Sequence, residues 1–226
     1  MSDFILGDCM DYMKDMPDNA FDLAIVDPPY GIGESGGRNG TRSNLATSKN
    51  YKPFHGNDLK PPDNEYFKEL MRVSKNQIIW GANHYISKIP YDSSCWIVWD
   101  KQNGESDFAD CELAWTSFKT AVRKFEFRWN GMLQGNMKAK EVRIHPTQKP
   151  VALYKWLLKN YAKPGDKILD THVGSASSLI ACHQMGFEYL GFEIDEYYYA
   201  KAKERLELAK AQVSIFDLGI SHHFDT

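Results

Sequence analysis

No two of the four cysteines stand close enough to act together. Cys9, Cys95, Cys111 and Cys182 are scattered, and none forms a C-x-x-C pair. That spacing argues against a zinc knuckle or a disulfide framework and suits a reducing cytoplasm. The seven histidines form no H-E-x-x-H array. His183 follows Cys182 directly, and neighbours in a helix point in different directions, so no metal site is expected there. The chain also lacks a basic-then-apolar leader, and no apolar run approaches ~18 residues. Neither export by a signal peptide nor a membrane span is expected. There is no excess of positive charge: the formal net charge is −3, which argues against wholesale electrostatic wrapping of nucleic acid but leaves a local basic face open. Internal repeats and long low-complexity tracts are missing too. What remains is an ordinary globular composition over 226 residues, 42% hydrophobic and 25% charged, enough for one large domain or one domain with a small insertion.

Strand and helix alternate clearly in the C-terminal third. Residues 167–170 read as a strand after a Pro-Gly turn. Ser175 to Met185 reads as a helix stopped by Gly186, and residues 189–193 as the next strand. Asp195 can cap a helix ending near Gln212, and another helix spans 151–162. The N-terminal half supplies strands near residues 4–6 and at 21–26, with a short helix around Met10 to Met16 between them. A helix over 64–74 and strands at 77–80, 95–99, 112–115 and about 125–127 follow. This alternation predicts a mostly parallel, doubly wound α/β sheet.

Two stretches are polar and basic. Residues 31–60 are rich in glycine, asparagine and serine, and carry five basic side chains, Arg38, Arg42 and Lys49 among them, against two acids. A loop that long in a compact domain is usually functional. Residues 119–149 carry eight basic side chains against two acids, including Lys138, Lys140 and Arg143. Both are candidate nucleic-acid contacts.

The chemistry gathers at strand ends. Asp27-Pro28-Pro29-Tyr30 follows the apolar run 21–26. Proline has no N–H and a fixed φ, so the chain must leave the sheet there. The loop then presents a carboxylate, backbone carbonyls and an aromatic plate, which suit a flat ring bearing an exocyclic amine. A strand-ending turn with a packed tyrosine is the plainer alternative. Three more strands end in acids, at Asp8, Asp170 and Glu193. Ligands of open parallel sheets bind beyond the carboxyl ends of strands. Asp170 leads into the small-residue turn Thr171-His172-Val173-Gly174-Ser175-Ala176-Ser177 and a helix, a pattern similar to nucleoside-binding α/β folds. Ala176 is compatible with such a turn only at negative φ. His145-Pro146-Thr147-Gln148-Lys149-Pro150 precedes the helix at 151; Thr147 can cap it and Pro150 can occupy its first turn.

Taken in this order, these motifs resemble the amino-type DNA methyltransferases, which use S-adenosylmethionine to methylate an exocyclic amine of adenine or cytosine. With the catalytic loop ahead of the cofactor turn, the order is similar to the beta-type permuted arrangement, and it covers nearly the whole chain outside 31–60 and the tail after 212. The resemblance implies a Rossmann-like class I methyltransferase fold in a single catalytic domain, with 31–60 and about 119–144 contacting double-stranded DNA. It implies that Asp27 and the Pro28 carbonyl accept the target amine's hydrogens, that Pro29 stiffens the loop, and that Tyr30 stacks on the flipped base. It sets Asp170, His172, Gly174 and Ser175 along the methionine end of the cofactor and Glu193 on the ribose. Asp8, with Cys9 beside it, falls at the adenine, and Thr147 and Lys149 at the methionine carboxylate. An acidic first residue in the catalytic loop is similar to the adenine-specific version; serine is commoner in the cytosine version. Cytosine N4, an inactive DNA-binding relative, and an RNA or protein-amide methyltransferase stay open. A second subunit and a restriction endonuclease are compatible partners. The turn departs from the family's usual Phe-x-Gly-x-Gly, and no separate target-recognition domain is expected in these residues.

Overall fold

Apolar runs without a polar face become strands covered on both sides. The computed structural model describes residues 2–33, 51–53, 58–104, 109–130 and 133–212. In chain order its elements are β1 (Asp3–Leu6), α1 (Cys9–Met13), β2 (Phe21–Val26), α2 (Asn64–Val73), β3 (Ser74–Trp80), β4 (Trp96–Asp100), β5 (Cys111–Thr116), β6 (Arg123–Glu126), β7 (Trp129–Asn130), β8 (Leu133–Gln134), α3 (Val151–Tyr161), β9 (Lys167–Asp170), α4 (Ser177–Met185), β10 (Glu188–Glu193) and α5 (Glu196–Ala211). Eight strands form one sheet in the order β1-β10-β9-β2-β3-β5-β4-β6, and β7 and β8 form a small separate hairpin.

Every pairing in the large sheet is parallel except those of β5 with β3 and β4. So β5 alone runs backwards, and its first residues lie at the edge where the other strands end. From adjacent β9 and β2 the chain winds outward in opposite directions, to β10 and to β3. Such a switch point opens a crevice beyond the carboxyl ends of the strands. Asp27 and Asp170 stand at its two sides.

The two sheet faces bury alternate residues, as a period of two requires. Leu23, Ile25, Ile78, Trp80 and Ile168 pack beneath α3, α4 and α5 with Leu157, Leu179 and Leu206. Ala24, Val26, Ile79 and Leu169 pack on the other face with Met13, Phe67 and Leu70 of α1 and α2. Each fully buried side chain of this kind stabilises the fold by about 1.5–3 kcal/mol. This rigid platform is what fixes the strand ends.

Local signals decide most helix ends. Asp195 caps α5 as predicted, its carboxylate accepting the Tyr197 and Tyr198 N–H groups at 2.9 and 3.1 Å. Gly186 ends α4 in the left-handed region. Two expectations are corrected. Thr147 does not cap α3. Pro150 is the cap residue, and the Glu141 carboxylate, arriving from a separate stretch, accepts the Val151 N–H at 2.9 Å. Helix α4 begins at Ser177 rather than Ser175, because Ala176 adopts φ 62° and breaks the helical path.

Candidate active site

The loop after β2 is held rigidly. Pro28 is buried. The Asp58 carboxylate accepts the Gly31 and Ile32 N–H groups at 2.9 and 3.2 Å, clamping the chain as it leaves. Tyr30 turns inward, and its hydroxyl donates to Asp27 Oδ1 at 2.8 Å. Its ring lies nearly parallel to His84, centroids 5.1 Å apart at 16°.

Lys149 meets this loop from the far side of the sequence. Its ammonium lies 2.5 Å from Asp27 Oδ2, 3.0 Å from Glu112 Oε2 and 3.1 Å from the Tyr30 hydroxyl. Three N–H donors thus find three acceptors. Lys101 in turn lies 2.5 Å from Glu112 Oε1. The result is a chain of alternating charge, Lys101–Glu112–Lys149–Asp27, with the Lys149 side chain only 3% exposed and Asp27 15%. Burial pushes the Asp27 carboxyl above its ordinary value; Lys149 pulls it back, and Glu112 adds to the rise. Burial also acts to raise Glu112, but the Lys149 and Lys101 ammoniums overcome it and hold that carboxyl down at about 2. Burial opposes the charge on Lys149, yet Asp27 and Glu112 carry its pKa above the usual lysine value. The family resemblance implies a place for Lys149 near a cofactor carboxylate; its partners within the protein are these two acids and Tyr30.

Across the switch point sits the second half of the crevice. Buried Asp170 accepts the His172 N–H at 3.0 Å and the Ser178 hydroxyl, and burial raises its carboxyl to about 7. His172 packs edge-on to Tyr66, and burial lowers its imidazole to about 4. Gly174, at φ 56°, donates its N–H to Glu193 Oε2 at 2.8 Å, while Glu193 Oε1 accepts the Asp195 N–H at 2.9 Å. Beyond β10 lies an open cleft of about 560 Å³, lined by Lys52, Ile194, Asp195 and Tyr197 among others. Asp8 lies two residues past β1, beside this strand, where the Gly7 N–H donates to the Glu193 carbonyl. Its own carboxylate caps α1 through the Met10 N–H at 2.9 Å. Cys9 is buried, which pushes its thiol pKa upward.

The turn at 171–177 is braced from outside. Arg205 of α5 donates to the Ser175 carbonyl at 2.6 Å and pairs with Glu141 at 2.5 Å. Ser175 also shares a hydrogen bond with Ser177. Ala176 contradicts the expected negative φ: it sits in the left-handed region at φ 62° and is fully buried. That conformation costs an alanine about 1–2 kcal/mol, against about 0.8 kcal/mol for its buried methyl group. Ala176→Gly is therefore expected to lose no stability and to gain up to about 1 kcal/mol. The urea midpoint at constant m-value reads this directly; a clear loss would show that the methyl outweighs the strain.

The remaining predicted residues fall in three groups. Thr147 is exposed and pairs with His145 Nδ1 at 3.0 Å. Lys138 and Lys140 are exposed near the β7–β8 hairpin, whereas Arg143 folds back over Trp129 at 5.5 Å and donates to the Pro146 carbonyl. Arg38, Arg42 and Lys49 lie outside the described residues. Sequence reasoning missed Glu112, Lys101, Asp58, His84 and Arg205. Only Glu112 carried a signal, as an acid at the start of a predicted strand.

The family model described as DNA methylase, covering N6 and N4 enzymes, matches residues 75–204, more than half of the chain. The type II methyltransferase M.HpaI of Haemophilus parainfluenzae is 28% identical over 90% of this chain and 73% of its own length. M.HinfI of Haemophilus influenzae, also a type II methyltransferase, is 24% identical over 96% and 72%. Among solved structures, TTHA0409 of Thermus thermophilus, complexed with S-adenosyl-L-methionine, superposes with a TM-score of 0.59 at 17% identity, over 95% of this chain and 98% of that one. The M1.HpyAVI–SAM complex gives 0.56 at 23% identity, over 91% and 100%. The cytosine-N4-specific PvuII DNA methyltransferase gives 0.59 at 11% identity, over 93% and 90%.

Proposed function

The chain belongs to the N6/N4 DNA methylases, and from that membership we propose that it transfers a methyl group from S-adenosylmethionine to N6 of an adenine extruded from duplex DNA. The single observation that carries this reading is the placement of Asp27. Its carboxylate lies at the switch point with one oxygen held by an ammonium and the other by a hydroxyl that can be exchanged for an amine.

The residues across the crevice fit the cofactor. Glu193 accepts one backbone N–H on each oxygen and keeps further acceptor sites for a ribose diol. The open cleft begins one residue further along, where Ile194 and Tyr197 are proposed as apolar walls for an adenine. Asp170, its carboxyl raised by burial, can meet the amino end of a methionine moiety. When bound, S-adenosylmethionine supplies an electrophilic methyl group. The protein's task is then to make a poor nucleophile react. An exocyclic amine has its lone pair delocalised into the ring. Asp27 and the Pro28 carbonyl accept its two N–H bonds and stabilise the positive charge that develops on nitrogen. Holding both reactants in one crevice lowers the barrier through orientation. Stacking on Tyr30 offsets part of base extrusion, by about 1–3 kcal/mol. Exposed Lys138 and Lys140, with the basic stretch 31–60, are proposed to contact the DNA backbone.

Plasmid incubated with the protein and S-adenosylmethionine, then digested to nucleosides, is expected to yield N6-methyladenine. N4-methylcytosine in the digest would move the target to cytosine, the specificity carried by the PvuII enzyme's name. Unmodified nucleosides would refute methyl transfer to DNA.

A further inference from the structure

We propose that Lys149 and Glu112 are positioning residues for Asp27: Lys149 holds one carboxylate oxygen and leaves the other to the target amine, and Glu112 holds Lys149. The proposal rests on the methyl-transfer function given above and adds to it the groups that aim its key carboxylate.

Geometry carries the argument. Lys149 takes Asp27 Oδ2 alone, at 2.5 Å, so Oδ1 is the oxygen left for other donors. That place is held by the Tyr30 hydroxyl at 2.8 Å, a hydrogen-bond donor standing where an amine N–H would go. The same hydroxyl has a second acceptor in Glu112 Oε2 at 3.4 Å. An incoming amine can take Oδ1 while Tyr30 turns its proton to Glu112, and no buried polar group is stranded. Glu112 therefore has two tasks, holding Lys149 and receiving Tyr30.

A purely structural purpose explains the cluster poorly. Buried ion pairs are often no more stabilising than well-packed apolar side chains of the same volume. Here four charged side chains from four separate segments converge in one row at the functional edge of the sheet. The Lys149 ammonium also lies 5.6 and 5.5 Å from the Tyr30 and Trp80 ring centroids, so its direction is fixed by aromatic faces as well as by acids.

The sign of the pH effect follows from the charges around Asp27. Lys149, arriving just before α3, favours its ionised form. Glu112 of β5 opposes ionisation, and Lys101 after β4 reaches Asp27 only through Glu112. Tyr30 on its own loop, Tyr66 of α2, Tyr85 after β3 and Tyr154 of α3 are raised by burial and stay neutral. Asp170 at the end of β9 is coupled to Asp27 but is common to every variant below. Removing the Lys149 charge should move the acid limb of activity to higher pH; removing the Glu112 charge should move it lower.

The test uses the full chain carrying Lys149→Met or Glu112→Gln. Three quantities are read: kcat against pH on duplex DNA, the S-adenosylmethionine Kd by calorimetry, and the Asp27 carboxyl titration by carbon-13 NMR. Lys149→Met is expected to lower kcat at neutral pH about a hundredfold and to raise both the acid limb and the Asp27 titration by more than about one pH unit. Its cofactor Kd should stay within about threefold. Glu112→Gln should shift limb and titration the opposite way. A Lys149→Met protein with its limb and titration unmoved and cofactor affinity weakened about tenfold or more would place Lys149 on the cofactor and overturn the proposal. If that variant does not fold, Glu112→Gln decides alone: a downward shift supports the proposal, and an unmoved titration overturns it. A wild-type protein that leaves DNA unmethylated would sink the functional reading instead, and the NMR titrations would still judge the positioning.

Discussion

Asp27→Ala is expected to stop methyl transfer while leaving S-adenosylmethionine binding nearly intact. In the proposed mechanism the carboxylate is the charged acceptor aimed at the place where positive charge develops. Removing one preorganised group of this kind costs about 10²–10³-fold in kcat, and losing a full negative charge belongs at or beyond the upper end. Asp170 and Glu193, the proposed cofactor acids, stand on different strands and bond to different partners, so the cofactor Kd should change by less than about threefold. Asp27→Asn keeps the shape but loses the charge, and should fall nearly as far. Single-turnover transfer of a labelled methyl group, with calorimetry for the cofactor, separates the two effects. Unchanged turnover in either variant would remove Asp27 from the chemistry.

Gly81→Ala is expected to damage both fold and site. Gly81 has φ 68°, a left-handed conformation costing an alanine about 1–2 kcal/mol. A Cβ there would stand 2.1 Å from Cε1 and 2.4 Å from Cδ1 of Tyr30. The ring cannot retreat cheaply, because His84 lies parallel to it and its hydroxyl is tied to Asp27. Strain and overpacking together should cost about 3 kcal/mol. Turnover should fall by more than about tenfold at temperatures where the variant is still folded, because Tyr30, the proposed stacking plate, has been moved. Gly165→Ala is the control: its φ of 91° brings backbone strain, but nothing lies within 4 Å of the added carbon. It should lose about 1–2 kcal/mol and keep its turnover. Urea denaturation and kcat of the two variants give the comparison; equal turnover in both would show that Tyr30 tolerates displacement.

The sheet was legible because its strands obey simple rules. β2 reads as an apolar run broken only by Asp22, since both its faces are covered, and Asp27, Asp170, Glu193 and Asp8 come to one edge because their strands are parallel. That same rule hid Glu112. A search for acids at strand ends passes over an acid at a strand's start, and the reversal of β5 depends on pairing that local sequence does not encode. Lys149 was seen as chemically meaningful, but its partner lies 122 positions away, beyond any spacing argument. Thr147 looked like a helix cap by proximity; Glu141, ten residues before Val151, reached the place instead. Ala176 was judged by its intrinsic preference, which the packed turn overrides.

The reversed β5 has one more consequence. Trp99 pairs with Glu112 and Asp100 with Cys111, so the alignment of β4 and β5 decides what faces Lys149. A slip of one residue would swing the carboxylate to the opposite side of the sheet and bring a thiol or a leucine round in its stead. Lys149 and Lys101 would then lose the counter-ion they share, Lys149 in a nearly water-free site, which costs more than a mismatched methyl group. The row of charges thus penalises a one-residue slip of this strand pair, and the observed alignment is the one that completes the row.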